Sequence, residues 1–192
     1  MRRGRDGTPR RLWAPWRMEY IRAESAACAG TRPGRRCLFC RLKRSKHDAA
    51  DLILYRARLG FVVMNRYPYN NGHLMVAPNR HVADYEKLTA AEGLELQRLL
   101  QRSLRALRLE MKPQGYNVGM NIGRVAGAGE AGHLHVHIVP RWLGDVNYMP
   151  AVADTKVISQ HLSETWACLR KRMSRGTATR QRQRKAGAGA AK

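Results

Sequence analysis

Five short, apolar-rich runs along the chain have the length and composition of β-strands. They are residues 51–55, 60–65, 73–77, 116–121 and 133–139. Residues 67–72, which contain proline, asparagine and glycine, separate the second run from the third and predict a turn. The pattern therefore predicts a sheet of five strands.

A long amphipathic helix is predicted between the third and fourth runs. It starts at the capping box Thr89-Ala90-Ala91-Glu92, and Pro113 and Gly115 end it. Its apolar positions recur at helical spacing: Leu96, Leu99, Leu100, Leu104, Leu107 and Met111. A second helix is predicted from about Thr155 to Met173. Strands and helices in this order predict an α+β domain, with a mostly antiparallel sheet and its helices on one face.

The charge of the chain is unevenly distributed. The formal net charge is +22, and residues 170–192 contain no acidic residue. We expect a basic extension with an aromatic segment over residues 1–36, one folded domain over 37–173 and a basic, disordered tail over 174–192. The tail either stays solvated or contacts nucleic acid. Because no run approaches about 18 apolar residues and no signal segment follows Met1, we expect a cytoplasmic protein.

Three histidines alternate with apolar residues in the last predicted strand. His133, His135 and His137 would share one face, because side chains of a strand alternate between its two faces. His133 and His137 would lie about 13 Å apart, whereas zinc–nitrogen bonds are about 2 Å. One metal ion therefore cannot bind all three. Neutral imidazole is a nucleophile and imidazolium binds anions, so the pattern favours phosphate chemistry.

A glycine-rich loop leads directly into the histidine segment. Residues 123–132 contain four glycines in the order Gly123, Gly127, Gly129 and Gly132. Such loops allow backbone N–H groups to converge on phosphate oxygens. The loop strengthens the prediction of a phosphate site.

The segment 133–139 resembles the signature of the histidine triad family, in which three histidines alternate with apolar residues. Upstream, Asn65 and His73 match an asparagine or aspartate and a fourth histidine of that family. The similarity extends from about Cys37 to Trp142. Residues 13–21, 67–81 and 140–149 look like the bacterial diadenosine tetraphosphate phosphorylase branch. The uridylyltransferase branch, by contrast, has glutamine at the position of His137.

The resemblance implies a role for each matching residue. His135 corresponds to the nucleophile that forms a nucleotidyl-imidazole intermediate, and His137 and His73 to phosphate-contacting histidines. Asn65 corresponds to a ribose-binding residue. The implied phosphate-binding positions are Asn121, Gly127 and Gly129. The implied fold is that of the family, and the implied assembly is a homodimer or a higher homo-oligomer.

The implied reaction is nucleotidyl transfer from a dinucleoside polyphosphate to inorganic phosphate or to water. A nucleoside phosphoramidase of the same family is an alternative enzyme. A nucleotide-dependent nucleic-acid-binding protein is an alternative of another class, and the basic ends of the chain would support it.

One residue departs from the family pattern. Close relatives carry glutamine, serine or threonine a few residues before the triad, where it bonds a phosphate oxygen. Here the stretch is Gly129-Glu130-Ala131-Gly132, and a carboxylate would repel phosphate. Glu130 is either an acid catalyst or a solvent-exposed bystander.

A second candidate site contains cysteines. The spacing of Cys37 and Cys40 is typical of metal or redox sites, although a pair of buried thiols is the simpler interpretation. His81 and His133 would complete a tetrahedral Cys₂His₂ zinc site of structural type. Zinc-bearing members of the resembled family use this pairing, including the first triad histidine. With His133 bound to zinc, His135 and His137 would remain to contact phosphate.

Overall fold

The structure, a computed structural model, describes residues 37–145 and 160–174. The expected N-terminal extension and nearly all of the expected tail lie outside these ranges. Within them, no helix combines the length and the apolar character that crossing a bilayer requires.

Three helices and five strands form the described fold. The helices are α1 (Leu38–Arg44), α2 (Ala90–Met111) and α3 (residues 162–174), and a 3₁₀ turn spans Tyr85–Lys87. The strands are β1 (Ile53–Arg56), β2 (Gly60–Met64), β3 (Leu74–Pro78), β4 (Gly115–Gly119) and β5 (Val136–Arg141). They form one sheet in the order β1-β2-β3-β5-β4, and every neighbouring pair is antiparallel. The predicted α+β class and the five-stranded sheet are confirmed.

The capping box at the start of α2 is present. The Thr89 side chain accepts from the Glu92 amide, and the Glu92 carboxylate accepts from the Thr89 amide. Arg80 adds two bonds to the same carboxylate, at 2.9 and 2.7 Å. The helix ends where Lys112 adopts a left-handed backbone conformation with φ of 48°, just before Pro113. Local sequence therefore determines both ends of α2.

The sheet is covered on both faces. On the first face, α2 and α3 contribute Leu99, Leu107, Leu169 and Met173 to a core with Val62, Met64, Val76 and Ile138. On the opposite face, α1 contributes Phe39, Cys40 and Leu42 to a second core with Phe61, Val63, Met75 and Ala77. The expectation of helices on one face is wrong for α1. That helix has seven residues, too few for helical periodicity to be recognised in the sequence.

Two predicted boundaries are also wrong. Strand β5 starts at Val136, so His133 and His135 precede its ladder, because the Leu134 amide bonds the Val82 carbonyl instead of a neighbouring strand. Residues 160 and 161 are not helical, and α3 begins after His161, whose carbonyl accepts from Thr165. The predicted start of this helix near residue 155 lies outside the described residues.

Candidate active site and metal centre

Two histidines from neighbouring strands are hydrogen-bonded to each other. His73 precedes β3 and His137 lies in β5 opposite Met75, and His73 Nε2 is 2.9 Å from His137 Nδ1. The Tyr69 amide donates to His73 Nδ1 at 3.1 Å. Since that nitrogen accepts, neutral His73 is protonated on Nε2 and donates to His137. The proton of neutral His137 is then on Nε2.

His135 is fixed in the opposite tautomer. Its Nδ1 lies 2.8 Å from the carbonyl oxygen of His133, and a carbonyl only accepts. Nδ1 therefore carries the proton, and Nε2 keeps its lone pair. Burial lowers the pKa of His135, an effect that the bond to His133 partly offsets. The side chain is thus a neutral imidazole at pH 7, the form in which histidine is a nucleophile.

His73, His135 and His137 lie together. The rings of His135 and His137 are 4.8 Å apart in an edge-to-face arrangement, and those of His73 and His137 are 5.1 Å apart. Within β5, Val136 and Ile138 enter the core under α2. Before the strand, His133 and His135 pack against Phe39, which belongs to the core on the other face. The sequence therefore predicted the grouping correctly despite the boundary error.

The predicted ribose and phosphate residues form two smaller groups. Asn65 Nδ2 lies 3.3 Å from His73 Nδ1, and its Oδ1 accepts from the Tyr67 amide, so Asn65 borders the histidines. Asn121 instead donates to the carbonyl of Gly127 at 3.3 Å. Gly127 has a φ of 82°, which strongly favours glycine. Gly127 and Gly129 are both exposed, and the Gly127 amide donates to the Arg124 carbonyl at 2.9 Å.

The four predicted metal ligands converge. One donor atom from each of Cys37, Cys40, His81 and His133 lies within 4.8 Å of the others. Three sulfur–nitrogen distances are 3.3, 3.7 and 3.4 Å. A tetrahedral zinc ion with Zn–S of about 2.3 Å and Zn–N of about 2.0 Å separates such atoms by about 3.5 Å. The cluster therefore has the dimensions of a tetrahedral metal site.

The surroundings of His133 also suit a metal ligand. Its Nε2 lies 2.9 Å from the Pro78 carbonyl, so Nε2 carries the proton and Nδ1 directs its lone pair at the two sulfurs. A backbone carbonyl commonly orients a metal-bound histidine in this way. Burial lowers the pKa of His133 to about 4 and raises that of Cys37 to about 12. A bound cation would reverse the effect on the thiol, because coordination deprotonates it.

The Glu130 side chain contacts the start of α1, next to the candidate metal ligands. Its Oε2 accepts from the amide of Leu38, the first residue of α1, at 3.0 Å. The carboxylate thus stabilises the start of the helix that carries Cys40. In this position Glu130 is a structural acceptor, a role that the sequence did not suggest.

Two aromatic residues of the site were missed in the sequence. Tyr69 stacks on His73 with ring centres 4.8 Å apart, and Phe39 packs against His133 at 5.2 Å and His135 at 4.7 Å. Phe39 lies between the two cysteines, so its place next to the metal ligands could have been inferred from their spacing. Tyr69 was assigned only to a turn.

Known proteins match this chain over most of the described fold. The family model described as "HIT domain" matches residues 46–142. A protein of Mycobacterium tuberculosis named "AP-4-A phosphorylase" is 40% identical over 161 residues, covering 81% of this chain and 80% of that protein. A Schizosaccharomyces pombe protein named "Bis(5'-nucleosyl)-tetraphosphatase [asymmetrical]" is 30% identical over 101 residues, covering 53% of this chain and 55% of that protein.

A solved structure has the same fold. A protein of Mycobacterium smegmatis, described as a zinc-bound histidine triad family protein, superposes with a TM-score of 0.60 and 22% identity. The match covers 76% of this chain and 99% of that one.

Proposed function

Because this chain belongs to the HIT domain family, we propose that it cleaves dinucleoside polyphosphates by nucleotidyl transfer through His135. The observation that carries the proposal is the 2.8 Å bond between His135 Nδ1 and the His133 carbonyl. It directs the lone pair of a buried, neutral imidazole away from the backbone. The substrate class is supported by the name of the M. tuberculosis relative, an AP-4-A phosphorylase.

In the first step, His135 Nε2 attacks the α-phosphorus of the dinucleotide. The new N–P bond replaces the bond between that phosphorus and the bridging oxygen. With diadenosine tetraphosphate, the leaving group is ATP, and an adenylyl group stays on His135. The positive charge on the adenylylated imidazole would be stabilised by the Nδ1–H bond to the carbonyl of His133.

In the second step, an oxygen of inorganic phosphate attacks the same phosphorus. The N–P bond breaks, ADP leaves, and His135 regains its lone pair. Water as acceptor would give AMP instead. We favour phosphate because the relative that covers most of the chain is named a phosphorylase.

Negative charge develops on the phosphate oxygens during the attack, and hydrogen-bond donors would stabilise it. His137 would be one donor, because its ring lies 4.8 Å from the ring of His135. The exposed residue Gly129 would supply a further backbone N–H group. Gly127, whose amide already donates to the Arg124 carbonyl, and Asn121 would hold the loop in shape. Donors positioned before the reaction stabilise such charge at low cost. Asn65, which borders His73, would bind the ribose hydroxyls.

We further propose that Cys37, Cys40, His81 and His133 bind a structural Zn²⁺ ion. The four donor atoms and the oriented His133 ring support this assignment. The ion would supply a crosslink between α1, the segment after β3 and the segment before β5. The peptide that carries His133 also carries the acceptor for His135, so this crosslink would stabilise the nucleophile's environment.

Two further proposals concern the assembly and the location of the protein. We propose a cytoplasmic homodimer, or a higher homo-oligomer. A nucleic-acid-binding role for the basic tail concerns residues beyond those the structure describes.

Product analysis tests the proposed function. Purified protein is incubated with diadenosine tetraphosphate, with and without inorganic phosphate, and the nucleotides are separated. We expect ADP and ATP in equal amounts, with ADP formed only when phosphate is present. AMP and ATP would identify a hydrolase. Cleavage of a nucleoside phosphoramidate, with the dinucleotide left intact, would favour the phosphoramidase alternative and contradict the proposal.

A further inference from the structure

Glu130 lies between the two parts of the proposed site. It follows Gly129 in the glycine-rich loop and precedes the metal ligand His133 by three residues. Its backbone carbonyl accepts from the His133 amide at 3.3 Å, which closes a turn. The same residue therefore ends the candidate phosphate loop and begins the approach to the metal centre.

The side chain of Glu130 contacts the helix that carries the cysteines. The first amides of a helix have no partner within the helix. In α1, the Leu38 amide donates to Glu130 Oε2 at 3.0 Å, and the Cys40 amide donates to Cys37 Sγ at 3.5 Å. The start of α1 is thus held by two acceptors, one from a metal ligand and one from the loop. A carboxylate at this end also interacts favourably with the helix dipole.

Gly132 lies beside His81 on the other side of the turn. A Cβ at this position would lie 3.5 Å from His81 Cε1, 3.6 Å from His81 Nε2 and 4.0 Å from Glu130 Oε1. The turn therefore packs against a third metal ligand. Glu130, Gly132 and His133 therefore each lie next to the proposed metal ligands or belong to them.

We infer that Glu130 is a positioning residue that couples metal binding to nucleotide binding. The ion fixes Cys37 and Cys40, these fix the start of α1, and the Leu38 amide then fixes Glu130 and the end of the glycine-rich loop. A nucleotide phosphate bound to the loop would reinforce the same contacts in the reverse direction, since coupling between two sites is reciprocal. The inference rests on the proposed phosphate loop and zinc site.

The coupling is measured by binding, not by turnover. AMP affinity is measured by calorimetry on zinc-loaded and zinc-depleted protein, and zinc affinity by competition with a chromogenic chelator, with and without AMP. In the unaltered protein we expect zinc to strengthen AMP binding about fivefold or more, and AMP to strengthen zinc binding by the same factor.

Two variants and one control separate this role from simple stabilisation. Glu130→Ala should lower the coupling factor to about one, whereas Glu130→Gln, which keeps an acceptor oxygen, should retain most of it. Glu86→Ala removes an exposed carboxylate elsewhere and should behave like the unaltered protein. A Glu130→Ala protein with the full coupling factor would overturn the inference.

If the zinc-depleted protein unfolds, AMP binding to it cannot be measured. Hydrogen exchange, which needs only the zinc-loaded proteins, then provides the test. Glu130→Ala should speed exchange both at Leu38 and across residues 123–132, with α2 unchanged. Faster exchange at Leu38 alone would mean a local helix cap and would overturn the coupling. If the unaltered protein binds both zinc and AMP but without coupling, the inference fails and the proposed function stands. If it binds neither, both fail.

Discussion

His133 and His135, two residues apart, hold opposite tautomers through two backbone carbonyls. His133 donates from Nε2 to Pro78 at 2.9 Å, while His135 donates from Nδ1 to the carbonyl of His133 itself at 2.8 Å. The first arrangement directs Nδ1 at the cysteines, and the second leaves Nε2 of His135 for phosphorus. One peptide unit therefore links the metal centre to the nucleophile.

The metal centre gives the first prediction. Cys37→Ser should reduce bound zinc from about one ion per chain to well below that value, and it should lower the free energy of unfolding by roughly 2–4 kcal/mol, because metal binding contributes to folding. The checks are metal analysis and chemical denaturation. Cys168→Ser, which alters an exposed thiol, is the matched control. A metal-free protein with unchanged stability would argue against the site.

The histidine pair gives the second prediction. His73→Ala should lower kcat for diadenosine tetraphosphate by about 10²-fold, with a smaller change in KM, because His137 loses the donor that sets its tautomer. Steady-state kinetics measure both constants. His47→Ala, at an exposed position, should have no effect. An equal rise in KM with kcat unchanged would assign His73 to substrate binding alone.

The capping box predicts how stability depends on pH. Arg80, followed by the Thr89 amide, lowers the pKa of Glu92 from 4.5 to about 2. Since the folded pKa is below the unfolded one, the stabilisation is fully present above pH 4.5 and is lost as the pH falls toward 2. Glu92→Gln should therefore lower the free energy of unfolding by about 1–2 kcal/mol at pH 7, and by less at pH 3.

Urea unfolding at several pH values measures this difference. Glu95→Gln removes a carboxylate from the same helix and serves as the control. The unaltered protein and Glu92→Gln should differ in free energy of unfolding. If that difference does not change with pH, the charge of Glu92 contributes nothing to stability.

Strand β4, at the edge of the sheet, is the candidate interface of the proposed homodimer. β4 pairs only with β5 among the described strands. Val118 on β4 and Leu109 on α2 are both exposed apolar side chains. If these elements form a dimer interface, light scattering should give twice the chain mass, and Val118→Asp should give a monomer. A monomer mass for the unaltered protein at micromolar concentration would contradict the homodimer.

The sequence predicted the parts of the fold that local rules determine. The ends of α2 follow from the capping box and from Pro113, and the apolar runs of β2 and β3 follow from burial on both faces. The start of β5 could not be predicted, because it depends on the Leu134 amide bonding Val82, a contact between segments distant in sequence. The short helix α1 was missed for a similar reason, because packing into the second core and not helical periodicity holds its residues.

The residues of the site were predictable by type, but their relations were not. Alternation pointed to the triad histidines and spacing to the two cysteines, while the family resemblance added His73 and His81. The structure brings the four metal-ligand candidates together and joins His73 to His137. The tautomers of His133 and His135 depend on carbonyls of Pro78 and His133, which no residue pattern reveals. The role of Glu130 was likewise hidden, because its partner Leu38 is 92 residues away.

Trapping the covalent intermediate tests the central claim most directly. The protein is mixed with excess diadenosine tetraphosphate without phosphate, quenched in alkaline denaturant to preserve an N–P bond, and mapped by mass spectrometry. The account predicts one adenylyl group on the peptide at His135, its discharge when phosphate is added before quenching, and its absence in His135→Ala, whose turnover should fall by roughly 10⁴-fold or more. Turnover by His135→Ala at a rate near that of the unaltered protein would contradict the account.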